Sequence, residues 1–232
     1  MLEVKDLYVG YYKDLNILQG ISMQAQEAKI TTVLGANGVG KSTLLKAIYG
    51  FLRPNDGEVL LDGQSLIGIP THKRIDMGIS YIPQQPGIFR WMSVEENLEL
   101  GAWTFKADKE RIRRKLDENY ERFPVLKERR KSKAGELSGG MQRMVEVGRT
   151  LMTDPKVILV DEPTAGLAKL LSAEVYQMLI RLRDEGMTIV LVDQEIRQAL
   201  KIADYVYVLE LGRNRFDGPV DEFTDLKKAF WV

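Results

Sequence analysis

The sequence predicts an α/β fold carrying an all-helical insertion, and three observations lead to it. Apolar, β-branched runs recur at Ile30-Thr31-Thr32-Val33-Leu34, Val157-Ile158-Leu159-Val160 and Thr188-Ile189-Val190-Leu191-Val192, as strands buried on both faces of a parallel sheet require. The first run enters Gly35-Ala36-Asn37-Gly38-Val39-Gly40-Lys41-Ser42-Thr43 and then the helical Leu44-Leu45-Lys46-Ala47-Ile48. From about residue 89 to 133 the strand signals stop, and a charged, helical stretch replaces them.

Composition bounds the reading. A chain of 232 residues suits one domain, or one domain with a substantial subdomain, and can bury a core without staples. Lys+Arg and Asp+Glu are equal at 33 each, so no global field argues for nucleic acid or an anionic membrane. With no cysteine there is no disulfide framework and no thiolate metal site, which fits a reducing cytoplasm. The first residues do not read as a signal peptide, and no run of 18 apolar residues occurs. Any work at a membrane is expected to need a partner that spans it.

Taken in order, residues 2–9 alternate apolar and polar positions and predict a first strand, and residues 17–22 a second. Tyr11 and Tyr12 between them fit either edge-strand packing or a ring that stacks on a base. Strand, glycine-rich turn, helix is the context in which G-x-x-x-x-G-K-[ST] binds phosphate rather than arising by chance. Inward-turned backbone N–H groups and the positive end of the new helix form an anion cradle. Lys41 is placed for β- and γ-phosphates and the Ser42 hydroxyl for Mg²⁺, so a nucleoside triphosphate is the expected ligand.

A turn at residues 53–57 and a short strand to Gly63 follow. The single histidine, His72, lies in a polar loop or helix start and reads as solvated surface. Residues 78–83 read as a buried strand ended by proline, which presents Gln84 and Gln85 at the sheet's carboxyl edge. Ser93 and Glu96 form a capping-box pattern, and residues 106–123 predict one helix with apolar Ile112, Leu116 and Tyr120. The basic excess up to Lys133 fits a solvated helical face better than a nucleic-acid groove.

Leu137-Ser138-Gly139-Gly140-Met141-Gln142 opens a helix over 143–152, either as a second anion cradle or as ordinary capping. The run at 157–160 delivers Asp161 and Glu162 to the sheet edge, where Asp161 can hold Mg²⁺ through its water shell. Glu162 is placed to deprotonate an attacking water. A helix over 170–183 with Gly186 as its cap precedes the run at 188–192, which ends at Asp193-Gln194-Glu195 with the Gln194 amide at the ligand edge. A strand over 205–209, a turn at Gly212 and a short helix through Phe230 complete the prediction.

The phosphate loop, a Gln after a strand, Leu-Ser-Gly-Gly, Val-Asp-Glu-Pro and a late polar strand end, in that order, resemble an ATP-binding-cassette (ABC) ATPase over essentially the whole chain. That resemblance implies a P-loop NTPase core of ABC type, 1–232 as one domain, with an antiparallel β-subdomain and a helical subdomain inserted at about 89–145. It implies Tyr12 (or Tyr11) on adenine, residues 37–43 on phosphates, and Gln84 as the sensor meeting Mg²⁺ and the membrane partner. It makes Ser138, Gly139 and Gly140 the signature for the γ-phosphate of a second subunit, Asp161 the metal-shell acid and Glu162 the general base. ATP and Mg²⁺ are the implied cofactors, and a second ATPase subunit, in a homo- or heterodimer, and permease subunits the implied partners. A solute-binding protein is an indirect partner, and no nucleic acid is implied. The implied location is the inner face of the cell membrane, peripheral on the permease.

Three positions depart from the common pattern: Met141 for a usual Gln, Ala168 for a usual Asp, and Gln194 for the switch histidine. A neutral Gln donates an amide N–H but takes no part in proton transfer. Gly166-Leu167-Ala168 and Val192-Asp193-Gln194-Glu195 are similar to the ATPase subunits of branched-chain amino-acid importers, which typically read Gly-Leu-Ala-Pro and Val-Glu-Gln-Asn. The stretch 199–204 and the closing 226–230 resemble them too, while Lys169 replaces the proline and urea-type importers share much of the pattern. The expected function is thus the ATPase of an importer for branched-chain or other hydrophobic amino acids. The rivals are an importer of another solute, a cassette of chromosome maintenance or translation, and a nucleotide-gated partner that barely hydrolyses.

Overall fold

Two sheets divide the strands, and the strands buried on both faces, Val157–Asp161 and Thr188–Val192, lie inside the larger one. The structure, a computed structural model, describes residues 1–12 and 15–223. The chain opens with β1 (Leu2–Val9), β2 (Leu18–Ala25), β3 (Ile30–Gly35) and α1 (Lys41–Tyr49). Next come β4 (Asp56–Leu61), β5 (Gln64–Ser65), α2 (Thr71–Asp76) and β6 (Ile79–Ile82). Four α-helices follow without an intervening strand: α3 (Val94–Glu99), α4 (Lys109–Arg122), α5 (Pro124–Glu128) and α6 (Gly139–Leu151). The last part is β7 (Val157–Asp161), α7 (Lys169–Asp184), β8 (Thr188–Val192), α8 (Ile196–Ile202), β9 (Tyr205–Glu210) and β10 (Arg213–Pro219).

The smaller sheet is antiparallel, in the order β2-β1-β4-β5. The larger runs β10-β9-β3-β8-β7-β6 and is parallel except for the β9–β10 hairpin. Every residue of β7 and β8 is buried, and because successive side chains point to opposite faces, the two strands feed two cores. Ile158, Val160, Ile189 and Leu191 pack with α6, α7 and α8. Val157, Leu159, Val190 and Val192 pack with Leu44, Leu45 and Ile48 of α1 and with the inner faces of β1 and β2. Helix α1 is thereby sandwiched between the sheets. Its carboxyl end is gripped by buried Arg74, which donates to the carbonyls of Ala47 and Ile48, while His72 stays exposed as expected.

The helical stretch closes on itself at its base. Val94 N–H donates to Ser132 O at 3.0 Å, and Ala134 N–H to Met92 O at 2.9 Å. The capping box at Ser93 and Glu96 forms as the sequence predicts. The helix expected over 106–123 forms too, as α4 (Lys109–Arg122), with its start later than predicted. Residues Leu100–Phe105 form a 3₁₀ turn, and α4 begins only after Asp108, whose carboxylate accepts from Arg111 N–H at 2.9 Å. A side-chain cap outweighs the helical periodicity of the residues before it.

Two strand predictions also need correction. The second strand runs to Ala25 rather than ending at 22, because pairing with β1 continues to Leu2 opposite Ala25 and buries Met23 and Ala25 on the inner face. Strand β10 carries no apolar run, so its polar residues gave no strand signal; backbone pairing with β9 makes it an edge strand. The helix expected through Phe230 begins at residues 220–223, and the importer-like stretch 226–230 lies outside the described residues. No helix among the described residues is long and apolar enough to cross a membrane.

Candidate functional site

The carboxyl ends of β3, β8, β7 and β6 lie side by side, and each delivers groups that the sequence singles out. The loop after β3 needs glycine for two reasons. At Gly35 an added Cβ would lie 2.6 Å from the Leu209 carbonyl oxygen, and Gly40 enters α1 at φ +111°. Ala36, Asn37 and Gly38 are exposed at the loop's crest, Val39 is half-buried, and Thr43 is buried beneath it. Lys41 is only 5% exposed, and its Nζ donates to Gly35 O at 2.8 Å and Ala36 O at 3.1 Å. Burial lowers its pKa, while the charges of Glu162, Asp161 and Asp193 oppose that shift.

The Asp161 carboxylate, buried at the end of β7, accepts a hydroxyl on each oxygen. Ser42 Oγ donates to Oδ1 at 2.8 Å, and Tyr81 OH to Oδ2 at 2.8 Å. Burial first, and the charge of Asp161 next, push the Tyr81 phenol well above its usual pKa and keep it a donor. Glu162 follows in the left-handed region at φ +44°, a conformation that costs a side-chain-bearing residue about 1–2 kcal/mol. Its N–H donates to Val192 O at 2.7 Å, which pins the turn to β8. The amides of Gln84 and Gln194 both donate to Glu162 Oε2, each at 2.6 Å. Chain positions 84, 162 and 194 thus converge on one carboxylate oxygen.

Behind Gln194, Asp193 is buried and accepts from Tyr176 OH at 3.0 Å, Thr164 Oγ1 at 3.3 Å and Glu195 N–H at 3.0 Å. Burial raises its pKa, and the hydrogen bonds pull it back. These contacts tie the strand end carrying Gln194 to the turn after Glu162.

Other expected site residues lie apart. Tyr11 and Tyr12 lie beyond the end of β1 and are 52% and 76% exposed. Ser138, Gly139 and Gly140 begin α6, with Ser138 Oγ accepting from Met141 N–H at 3.3 Å. An added Cβ on Gly139 or Gly140 would lie 3.0 Å from Leu167 or Leu171 respectively. No hydrogen bond among the described residues joins Ser138–Gly140 to the loop at 35–43.

Sequence reasoning missed the groups that position this site. Arg143 and Glu146, one helical turn apart on α6, are both buried and paired at 2.6 Å. Arg143 also donates to Pro83 O at 2.7 Å and Gln84 O at 2.6 Å, and Glu146 accepts from Gly87 N–H at 2.7 Å. The backbone on either side of Gln84 is therefore fastened to the helix that starts at Ser138. Asn97 continues the anchoring, exchanging hydrogen bonds with both backbone groups of Phe89.

The donor set fits Mg²⁺. Ser42 and Asp161 present hard oxygen ligands 2.8 Å apart. No cluster of three metal-binding side chains occurs among the described residues. Magnesium commonly takes one or two carboxylates together with substrate phosphates rather than an all-protein cage.

A family model described as ABC transporter matches residues 18–165. The chain is 40% identical over 203 residues to the high-affinity branched-chain amino acid transport ATP-binding protein BraG of Pseudomonas aeruginosa, covering 88% of this chain and 86% of that one. It is 38% identical over 229 residues to a probable branched-chain amino acid transport ATP-binding protein, LivF, of Archaeoglobus fulgidus, covering 98% and 96%. The lipopolysaccharide export system ATP-binding protein LptB of Haemophilus influenzae is 32% identical over 204 residues, covering 87% and 84%. A nucleotide-free ATP-binding cassette from an ABC transporter superposes with a TM-score of 0.88 at 29% identity, covering 98% and 95%. A dimeric bacterial ABC transporter cassette superposes at 0.80 with 25% identity, covering 95% and 99%.

Proposed function

From a chain that belongs to the ABC transporter family and hydrolyses ATP as the ATPase subunit of a transporter, we infer an engine for uptake of branched-chain or other hydrophobic amino acids. One observation carries the inference. The Asp193-Gln194-Glu195 strand end, whose pattern resembles those importers, is built into the site through the Gln194 amide on Glu162. The similarity to BraG and LivF over most of the chain supports the same reading.

In this reading the loop at 35–43 holds the phosphates, Lys41 reaches the β- and γ-phosphates, and Tyr12 stacks on adenine. Ser42, Asp161 and Gln84 would hold Mg²⁺, which neutralises charge on the transferring phosphoryl group. Glu162 takes the proton from the attacking water, while Gln84 and Gln194 fix its carboxylate. Gln194 is neutral and moves no proton. Ser138, Gly139 and Gly140 meet the γ-phosphate held by a second cassette, identical or homologous, so two ATP molecules are sandwiched per pair. The dimeric cassette among the structural relatives supports that pairing. Differential affinity for the closed pair converts binding and hydrolysis into closing and reopening.

The chain acts as one cassette over 1–232, with residues from about 89 to 145 as the subdomain facing the permease. Exposed Phe89, Trp91 (86%) and Trp103 offer apolar surface on that subdomain, next to the anchored segment that carries Gln84. Docking there places the protein on the inner face of the membrane, and a solute-binding protein delivers the amino acid on the other side.

The test is leucine uptake by vesicles containing this chain with its co-purified permease subunits. ATP-dependent uptake is expected with the wild type, and none with Lys41→Ala, which is also expected to lose nucleotide binding. ATP-driven movement of urea or lipid without leucine would overturn the substrate. Near-normal nucleotide affinity in Lys41→Ala would overturn the role of the loop.

A further inference from the structure

We propose that Tyr81 is a positioning residue for Asp161, its ring-anchored hydroxyl holding the carboxylate in the orientation in which Asp161 and Ser42 receive Mg²⁺. The proposal rests on the reading of Asp161 and Ser42 as metal residues.

Sheet register brings the two together. β6 and β7 are parallel neighbours with Tyr81 opposite Leu159, and Asp161 lies two residues beyond Leu159. Positions two apart on a strand share a face, so Tyr81 and Asp161 point to the same side of the sheet. That is the side occupied by α1, whose first turn carries Ser42. The Tyr81 hydroxyl then reaches Asp161 Oδ2 at 2.8 Å while Ser42 takes Oδ1.

Both donors answer to α1. Tyr49, the last residue of that helix, stacks on the Tyr81 ring with centroids 5.4 Å apart and planes at 25°. Phe51 meets the same ring edge-on at 5.6 Å and meets Tyr49 at 4.8 Å, closing a triangle of rings. Such pairs have preferred geometries, so the triangle limits where the hydroxyl can go. An Asp carboxylate turns easily about its last bond, because that torsion is broad. Donors on opposite oxygens stop the turning and leave each oxygen a lone pair for a metal-bound water. With one donor gone, the carboxylate pivots about the other. The phosphate-loop helix therefore grips Asp161 from both of its ends.

Tyr81→Phe keeps the rings and removes only the hydroxyl. With a non-hydrolysable ATP analogue, Mn²⁺ affinity measured by electron paramagnetic resonance is expected to fall about ten-fold, the scale of one lost charge-assisted hydrogen bond. The Mg²⁺ midpoint for phosphate release is expected to rise by the same factor. Analogue binding in EDTA is expected to match the wild type. Asp161→Asn serves as the reference and is expected to weaken Mn²⁺ further. Wild-type Mn²⁺ affinity in Tyr81→Phe, beside a loss in Asp161→Asn, would overturn the role of Tyr81 and leave the metal reading standing. Wild-type affinity in Asp161→Asn would overturn the metal reading and the proposal with it. Equal weakening of the analogue in EDTA would mark general damage to the site and would also overturn the proposal.

Discussion

Glu162→Gln is expected to lower steady-state phosphate release by about 10²–10⁴-fold while ATP binding persists. The substitution is nearly isosteric, and one amide oxygen can accept the N–H groups of Gln84 and Gln194 that now meet on Oε2. The left-handed turn and its bond to Val192 are backbone features and persist. What disappears, on the proposed reading, is the carboxylate that takes the proton from the attacking water. A rate loss without loss of ATP binding is the signature of an interaction made in the transition state. Phosphate release measured side by side decides the matter, and equal rates would remove Glu162 from the role of general base.

The second large effect belongs to Arg143. Arg143→Met leaves Glu146 buried beside a methionine and strips the hydrogen bonds from the Pro83 and Gln84 carbonyls. Breaking one side of a buried pair costs about 3–5 kcal/mol. In urea that is a fall in midpoint of about 1–2 M for a chain of this size. Adding Glu146→Leu removes the uncompensated charge, so the double variant is expected to recover more than half of the lost stability. ATP turnover is not expected to recover with it, because the segment carrying Gln84 still lacks its anchors. A single-variant midpoint within about 0.3 M of wild type would mean that the pair does not hold this segment. Wild-type turnover in the double variant would mean that Gln84 needs no such support.

These residues also mark how far the sequence could be read. The phosphate loop, Asp161, Glu162 and Gln194 were legible because each stands at the carboxyl end of an apolar run, where a parallel sheet exposes its ligands. Arg143 and Glu146 were not, since a buried pair on an amphipathic helix reads like a solvated one until the backbone 59 and 60 residues away is seen against it. Tyr81 was hidden for the same reason: its partner lies 80 residues away, and a tyrosine in a strand is ordinary packing. Strand β10 escaped because its edge position leaves it polar.

By itself, then, the sequence determined the α/β class, the order of the motifs and the kinds of group available, all set by local periodicity and by residue chemistry. The tertiary structure alone decided which groups meet. It put Gln84 and Gln194 on one oxygen of Glu162, and it turned Ser42 and Tyr81 onto Asp161. It also fastened α6, the helix that Ser138–Gly140 open, to the segment carrying Gln84 through buried Arg143 and Glu146. Strand order and register fix those meetings, and they arise from packing two faces of one sheet, which no local stretch of chain encodes.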